Sequence, residues 1–384
     1  MFFLFLPLSL FLLIFNSTPS FAGKARMESL GGEDVSYYYF DDPRNVLTNP
    51  AHMNVIKDFI AFEWGADQDR VEGGNSTPKA EGGFFKSSDF FIYGLYLGQD
   101  EGYINRNDAT NSLTDTNLLN QDNSSELFIA GNIGNEWGTS VKVSKSKDEG
   151  TGVNRSQESV SVKFGTVMGN LGAHLKLVLF DKSTGGATDA ESFRNDMTFT
   201  LGANYSIENF IIYGQSIRDG YEYNRVSDGQ KDVTSKKRAY VAGGGHSYQL
   251  NERAKMFFNV CYKRITVERN SNLADPNSSN TGLTNTTEWL VPLTFGLEAQ
   301  VKDWLILRGA ITQNLLSNSK KSYSYNNRTE RTTTNVNSGA SIYLGKLKIE
   351  GLIGVGDTAN NDGNKKGVLS LGNVLTKTSM IYSF

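Results

Sequence analysis

Trp289-Leu290-Val291-Pro292-Leu293-Thr294-Phe295-Gly296-Leu297-Glu298-Ala299-Gln300-Val301 decides the fold. Taken alternately, Trp289, Val291, Leu293, Phe295, Leu297, Ala299 and Val301 form an apolar set, and the residues between them a more polar one. Side chains of a β-strand point to opposite faces in turn, so this stretch needs an apolar surrounding on one side and water on the other. Leu171, Ala173, Leu175, Leu177 and Leu179 oppose Gly172, His174, Lys176 and Val178 in the same way, and Leu347, Ile349, Gly351, Ile353 and Val355 oppose Lys348, Glu350, Leu352 and Gly354. A slip of one residue would turn these charges into lipid, at about 2–4 kcal/mol for a basic residue near a bilayer midplane. The pattern therefore fixes the register.

Such segments recur along the chain, joined by turns of two kinds. Tight turns fall at 87–89, 134–136, 168–170, 206–208, 250–253, 302–303 and Gly345, and long polar stretches at 67–78, 98–124, 146–156, 181–194, 218–236, 269–286, 316–331 and 357–373. Their strict rotation predicts an all-β, closed antiparallel transmembrane β-barrel of about sixteen strands, or fourteen if the first hairpin is misread. Short turns face the periplasm, long loops face outward, and the location is the outer membrane of a Gram-negative bacterium. The first strand is expected near 58–65.

The ends of the chain agree. Phe2 to Phe15 is almost wholly apolar and is followed by Ser20-Phe21-Ala22, which reads as a secretory signal peptide over 1–22. No Lys or Arg precedes Lys24, and the apolar run is shorter than the ~20 residues that span a bilayer. Residues 23–56 then form an N-terminal segment and 57–384 the barrel. The last strand sets Thr378, Met380, Tyr382 and Phe384 on one face. Met380, Tyr382 and Phe384 resemble the C-terminal signal read by the barrel assembly machinery. Trp64, Trp137, Trp289 and Trp304 all fall at expected strand ends, where an indole sits well at a lipid boundary as an aromatic belt.

Composition bounds function. Mean hydropathy is −0.38, which does not argue against a barrel, since half of each strand faces water. Net charge is −3, so no nucleic acid is an implied partner. The single cysteine, Cys261, can form no internal disulfide. His52, His174 and His246 are the only histidines, and no serine or carboxylate stands at a spacing that would build a triad with them. No cofactor, metal site or enzymatic activity is implied. The run Gly243-Gly244-Gly245 reads as strand curvature, and Asp357 to Gly363 as a hydrophilic loop rich in oxygen donors.

Before the first strand stand Arg26, Leu30-Gly31-Gly32, Asp41-Asp42-Pro43 and Asn49-Pro50-Ala51. In this order they resemble the start of the FadL-like barrels, which include long-chain fatty acid transporters, aromatic-hydrocarbon transporters and PorV-type proteins. The likeness covers about 30 of the 384 residues. It implies that this segment is a plug inside the barrel. Fatty acid transporters of the group have fourteen strands, and the outer loops here are dominated by Asn, Ser, Thr and Asp, with no greasy pair to collect an apolar substrate.

Projected inward, the strands gather Lys142, Lys163, Lys176, Lys255, Lys263, Arg308, Lys348 and Lys377 against Glu288, Glu298 and Glu350. Sixteen strands leave room for water. The expectation is a porin-like channel for small hydrophilic solutes with a mild anion preference. An equal expectation is that some of these lysines neutralise Glu28, Glu33, Asp34, Asp41 and Asp42 of the plug. The third strand is apolar on both faces, Phe91/Tyr93/Leu95/Leu97 and Phe90/Ile92/Tyr96, and is expected to pack on the plug or to line a path for an apolar solute. Two other readings are a FadL-like transporter of hydrophobic molecules and a surface structural or interaction barrel with little flux. Lipid, the assembly machinery and small solutes are the expected partners, with monomer or homo-oligomer left open.

Overall fold

The computed structural model describes residues 23–32, 38, 42–65, 79–99, 118–119, 121, 123–150, 153–185, 191–225, 231–271, 282–316, 334–357 and 377–384. The signal segment 1–22, Glu33, Asp34, Asp41 and the oxygen-rich loop after Asp357 lie outside them.

The strands are β1 (Phe59–Gly65), β2 (Lys79–Ser87), β3 (Ile92–Leu97), β4 (Ser124–Asn132), β5 (Glu136–Gly150), β6 (Val153–Met168), β7 (Leu171–Gly185), β8 (Glu191–Ile207), β9 (Phe210–Arg225), β10 (Lys231–Asn251), β11 (Ala254–Ser271), β12 (Gly282–Leu290), β13 (Pro292–Lys302), β14 (Leu305–Asn314), β15 (Thr334–Leu344), β16 (Leu347–Asp357) and β17 (Lys377–Ser383). Neighbours in sequence pair antiparallel, and β1 bonds to both β2 and β17, so the sheet closes on itself. β12 and β13 follow one line. Lys263 opposite Leu290 and Val260 opposite Leu293 keep a single register along β11, and Pro292, with no N–H to give, marks the break. β13 goes on to pair with β14, whereas β12 has only β11 beside it among the described residues. The result is a closed ring of sixteen strands with one extra strand outside it.

The alternation sorts side chains as the sequence requires. Phe62, Phe84, Leu127, Ile129, Val141, Phe164, Leu201, Phe295, Leu297 and Ile311 stand exposed on the outer surface. At the C-terminus Tyr382 and Phe384 are 45% and 43% exposed, while Lys377, Ser379 and Ile381, on the opposite face of the strand, are buried. No helix among the described residues is long and apolar enough to cross a membrane. Crossing falls to the strands, whose backbone groups are satisfied by closure of the ring. This is a bacterial outer-membrane barrel.

The strands outrun their expected ends. The stretches 146–156, 181–194 and 218–236, expected as loops, are largely ladder, as are the described ends of 269–286: β5 pairs with β6 from Glu136↔Val167 to Gly150↔Val153, and β10 runs for 21 residues. Above the lipid both faces meet water, so the apolar alternation stops while backbone pairing continues. Cross-strand ion pairs such as Lys145 Nζ–Glu158 Oε1 (3.0 Å) and Lys182 Nζ–Glu158 Oε2 (3.2 Å) take its place. At the other end β3 begins only at Ile92. Phe90, expected to share a strand face with Ile92 and Tyr96, lies in the preceding turn and is 91% exposed.

Candidate functional site

The site is the barrel interior together with the described residues of 23–56, which pack against inward-facing positions of the wall. α1 (Lys24–Ser29) packs against β14, β15, β16 and β17. The short helix α2 (Asn45–Thr48) leads to a 3-10 turn, Pro50–Asn54, that packs against β4, β5 and β6. The segment thus touches well-separated parts of the wall.

Its local structure follows from the motif residues. α1 ends in a Schellman motif: Gly32 N donates to Met27 O (2.8 Å), Gly31 N donates to Glu28 O (2.9 Å), and Gly31 adopts φ +74°. A Cβ on Gly31 would meet Thr294 Cγ2 and Thr312 Oγ1 at 2.8 Å, so both backbone and space demand glycine. Leu30 is wholly buried and packs with Phe257. Asp42 accepts from Arg44 N through Oδ1 (2.9 Å) and opens the Asp42-Pro43 turn. Asn49 accepts from Ala51 N through Oδ1 (3.0 Å), capping the turn that starts at Pro50.

Charges bind the segment to the wall. Arg26 Nε lies 2.9 Å from Glu298 Oε2 on β13, and its Nη1 is 3.4 Å from Asp42 Oδ2. Arg44 Nη1 contacts the Glu63 carboxylate on β1 and lies 2.8 Å from Glu81 Oε1 on β2. Lys377 Nζ reaches Glu28 Oε1 at 2.5 Å, and Lys163 Nζ donates to Leu47 O at 2.8 Å. Burial pushes the Asp42 carboxyl up to about 7, overcoming the pull of Arg26 and the Arg44 N–H. Arg26 is held above its ordinary range, since the attraction of Glu298 and Asp42 together outweighs desolvation, the largest single effect. Burial also raises the Tyr38 phenol. That ring stacks on Tyr213 (5.0 Å between centroids), with its hydroxyl 3.5 Å from His174 Nε2.

All eleven residues expected to line the lumen fall on the inward phase of their strands. Their cations, however, are largely matched. Arg308 Nε is 2.5 Å from Glu298 Oε2 and Lys348 Nζ 2.8 Å from Glu350 Oε1, while Lys163 Nζ lies 3.1 Å from Glu126 Oε1. Lys142 Nζ donates to Gln99 O (2.9 Å), and Lys255 Nζ sits 5.2 Å above the Phe257 ring. Of the acids expected to be neutralised by lumen lysines, Glu28 takes Lys377 whereas Asp42 takes Arg26. Most of the neutralising is done by wall carboxylates.

Of these, Glu63, Glu81 and Glu126 went unread in the sequence. The same alternation that exposed the lysines would have turned Glu63 and Glu126 inward. Two glycines were also missed. A Cβ on Gly138 would fall on the Pro50 carbonyl, and one on Gly165 on Asn49 Oδ1, so β5 and β6 leave a hollow in which Asn49-Pro50-Ala51 sits.

Apolar material gathers at both ends. Toward the tight turns Val46, Leu47, Met53 and Ile56 of the segment pack with Phe59, Phe85, Ile92, Tyr96 and Phe128 of β1–β4. This is where the doubly apolar third strand spends its inward face. Toward the long loops Leu118 packs with Phe193, Tyr221, Tyr223 and Val233. Ser183 Oγ donates to Leu119 O (3.2 Å), which ties this short piece of chain to β7. The polar composition of the stretch 98–124 gave no sign of this cluster.

Trp64, Trp137 and Trp289 stand on the outward phase of their strands, whereas Trp304 lies in the tight turn between β13 and β14; Trp64 and Trp304 are exposed. Trp289 lies seven residues inside the start of β12, because the strand continues past the expected lipid boundary.

No protein-family model matches the chain, and no curated protein does. Among solved structures it is similar in fold to the CymD monoaromatic hydrocarbon channel (10% identity, TM-score 0.40, 93% of this chain and 96% of that one). It is also similar to a Pseudomonas aeruginosa FadL homologue (11% identity, TM-score 0.38, 89% and 94%) and to the P. putida toluene transporter TodX (12% identity, TM-score 0.33, 88% and 93%). At such identities the likeness extends to the barrel fold alone.

Proposed function

We propose that this outer-membrane barrel is a transporter whose lumen is obstructed at rest by residues 23–56, and whose cargo is a small apolar molecule. The observation that carries the reading is the set of buried pairs joining the segment to different staves: Arg26 to Glu298, Arg44 to Glu63 and Glu81, and Lys377 to Glu28. A segment held from several sides narrows a pore, and the pairing of Lys377, Arg308, Lys348 and Lys163 with carboxylates offsets the positive charge on which anion selectivity would depend. The aromatic clusters at mouth and floor give an apolar solute two places to rest. The likeness of the N-terminal motifs to FadL-like barrels points the same way.

The hydrophilic-channel reading keeps one support. Ser140, Ser144, Ser159 and Ser161 with Lys142 make part of the inner wall polar. Planar-bilayer recording decides between them. The intact protein is expected to pass little current, and deletion of residues 24–50 to raise conductance several-fold. Uptake of a labelled fatty acid or monoaromatic compound should depend on the protein. Sustained anion-selective current through the intact barrel would instead establish the open channel. Silence in both assays would leave a surface barrel with little flux.

A further inference from the structure

Gly23, the first described residue, is buried, and its nitrogen donates to Glu350 Oε2 at 2.5 Å. The next nitrogen, of Lys24, donates to Glu63 Oε1 at 3.3 Å. Glu350 is 0% exposed and Glu63 4%. A Cβ on Gly23 would fall on the Ser379 side chain and lie 2.9 Å from Glu63 Oε1, so the slot has no room for any other residue. The other Glu350 oxygen is already occupied by Ser341 Oγ (2.8 Å), Lys348 Nζ (2.8 Å) and Arg308 Nη2 (3.5 Å). Ser379 Oγ is buried and has no hydrogen-bond partner. Two carboxylates and an unsatisfied hydroxyl therefore crowd around the first residue of the segment.

An amide nitrogen has one hydrogen and no charge, and serves one of these acceptors. A primary ammonium has three hydrogens and a positive charge, and could serve all three. The small residues Ser20 and Ala22 place a leader-cleavage point at this same bond. We infer that the slot is a binding site for the mature α-ammonium of Gly23, so that removal of the leader is what seats the segment. The leader-cleaving peptidase of the export pathway adds water across the Ala22–Gly23 amide. Ala22 departs as the carboxylate of the released peptide, and the Gly23 nitrogen, now a primary amine, carries the proton set free. Before hydrolysis the nitrogen offers Glu350 one uncharged N–H. Afterwards the nitrogen is an ion-pair partner for a buried carboxylate, and breaking such a pair is costly.

The test uses the protein purified from outer membranes. Intact mass is expected to start at Gly23. In a short pulse with an amine-acetylating reagent, the Gly23 amine should label at least tenfold more slowly in the folded barrel than after boiling, read on the N-terminal peptide. Glu350→Gln should bring the folded rate close to the boiled one. Should that variant fail to assemble, insertion of one alanine between Ala22 and Gly23 gives the second reading. It leaves the wall intact, and its displaced amine should label freely in a barrel that still migrates as folded on an unheated gel. A mature chain that keeps its leader or starts elsewhere overturns the proposal, as does equal labelling before and after boiling. The inference rests on the obstructed-lumen reading only for the segment's position. A shielded amine together with unchanged conductance on deleting 24–50 would sink that reading and leave this one standing.

Discussion

Arg26 and Asp42 show what single residues contribute. Arg26 is buried between Glu298 and Asp42, so replacing it with alanine leaves Asp42 without its cation and Glu298 with Arg308 alone, and breaking a buried pair in this way costs about 3–5 kcal/mol. The Arg26→Ala barrel is expected to close normally but to release its N-terminal segment, seen as rapid clipping by added protease within an intact ring. Asp42 sets a pH dependence. Its carboxyl is raised from the ordinary value of 3.8 to about 7, so docking takes up a proton. The contribution is fully present below about pH 4 and is lost as pH rises through 7. Clipping of the segment should therefore quicken between pH 5 and 8, and Asp42→Asn should flatten that rise. The sequence showed that Arg26 could pair with a lumen carboxylate. It could not show which one, because Glu298 lies 272 residues away and only ring closure brings the two together.

Among the elements, β5 and β6 are informative because they bear what they contact. Gly138 and Gly165 form the hollow under Asn49 and Pro50. Gly138→Leu or Gly165→Val should expel the capped turn and raise conductance toward that of the deletion, while the strands, which lose no ladder hydrogen bond, stay paired. An unchanged current in either variant would mean that the turn yields without opening a path. Strand identity, face and register were legible wherever lipid imposed alternation, as in β7, β13 and β16. Strand length was not, because beyond the bilayer the ladder of β5–β6 or β10–β11 is held by backbone bonds and scattered ion pairs that leave no period in the hydropathy. Pro292 was plain in the sequence, but that it divides one stave into β12 and β13 depended on its partner β11 continuing straight past it.

For the whole molecule, closure governs stability. Each stave is bonded on two sides, and β1 joins β17 over seven residues from Phe59↔Ser383 to Gly65↔Lys377. Unheated in detergent the protein should run faster on a gel than after boiling, and Phe384→Ala should slow assembly more than it weakens the finished barrel. Sixteen strands and inward-facing cations were readable from the sequence. That these cations are matched was not, because Lys163 meets Glu126, and Arg44 meets Glu63 and Glu81, only once the ring has closed around the N-terminal segment. Strands of 15 to 21 residues in β5–β11 also exceed what lipid requires. At a rise of about 3.3 Å per residue and a tilt near 40°, 21 residues give a height of roughly 50 Å, against an apolar band of about 25 Å. The surplus, carried by β5–β11 and not by the shorter staves β1–β4 and β13–β17, stands beyond the lipid band as a wall along one side of the barrel mouth. Under the transport reading proposed above, an arriving molecule would meet this wall of polypeptide before it reached the depth of the bilayer.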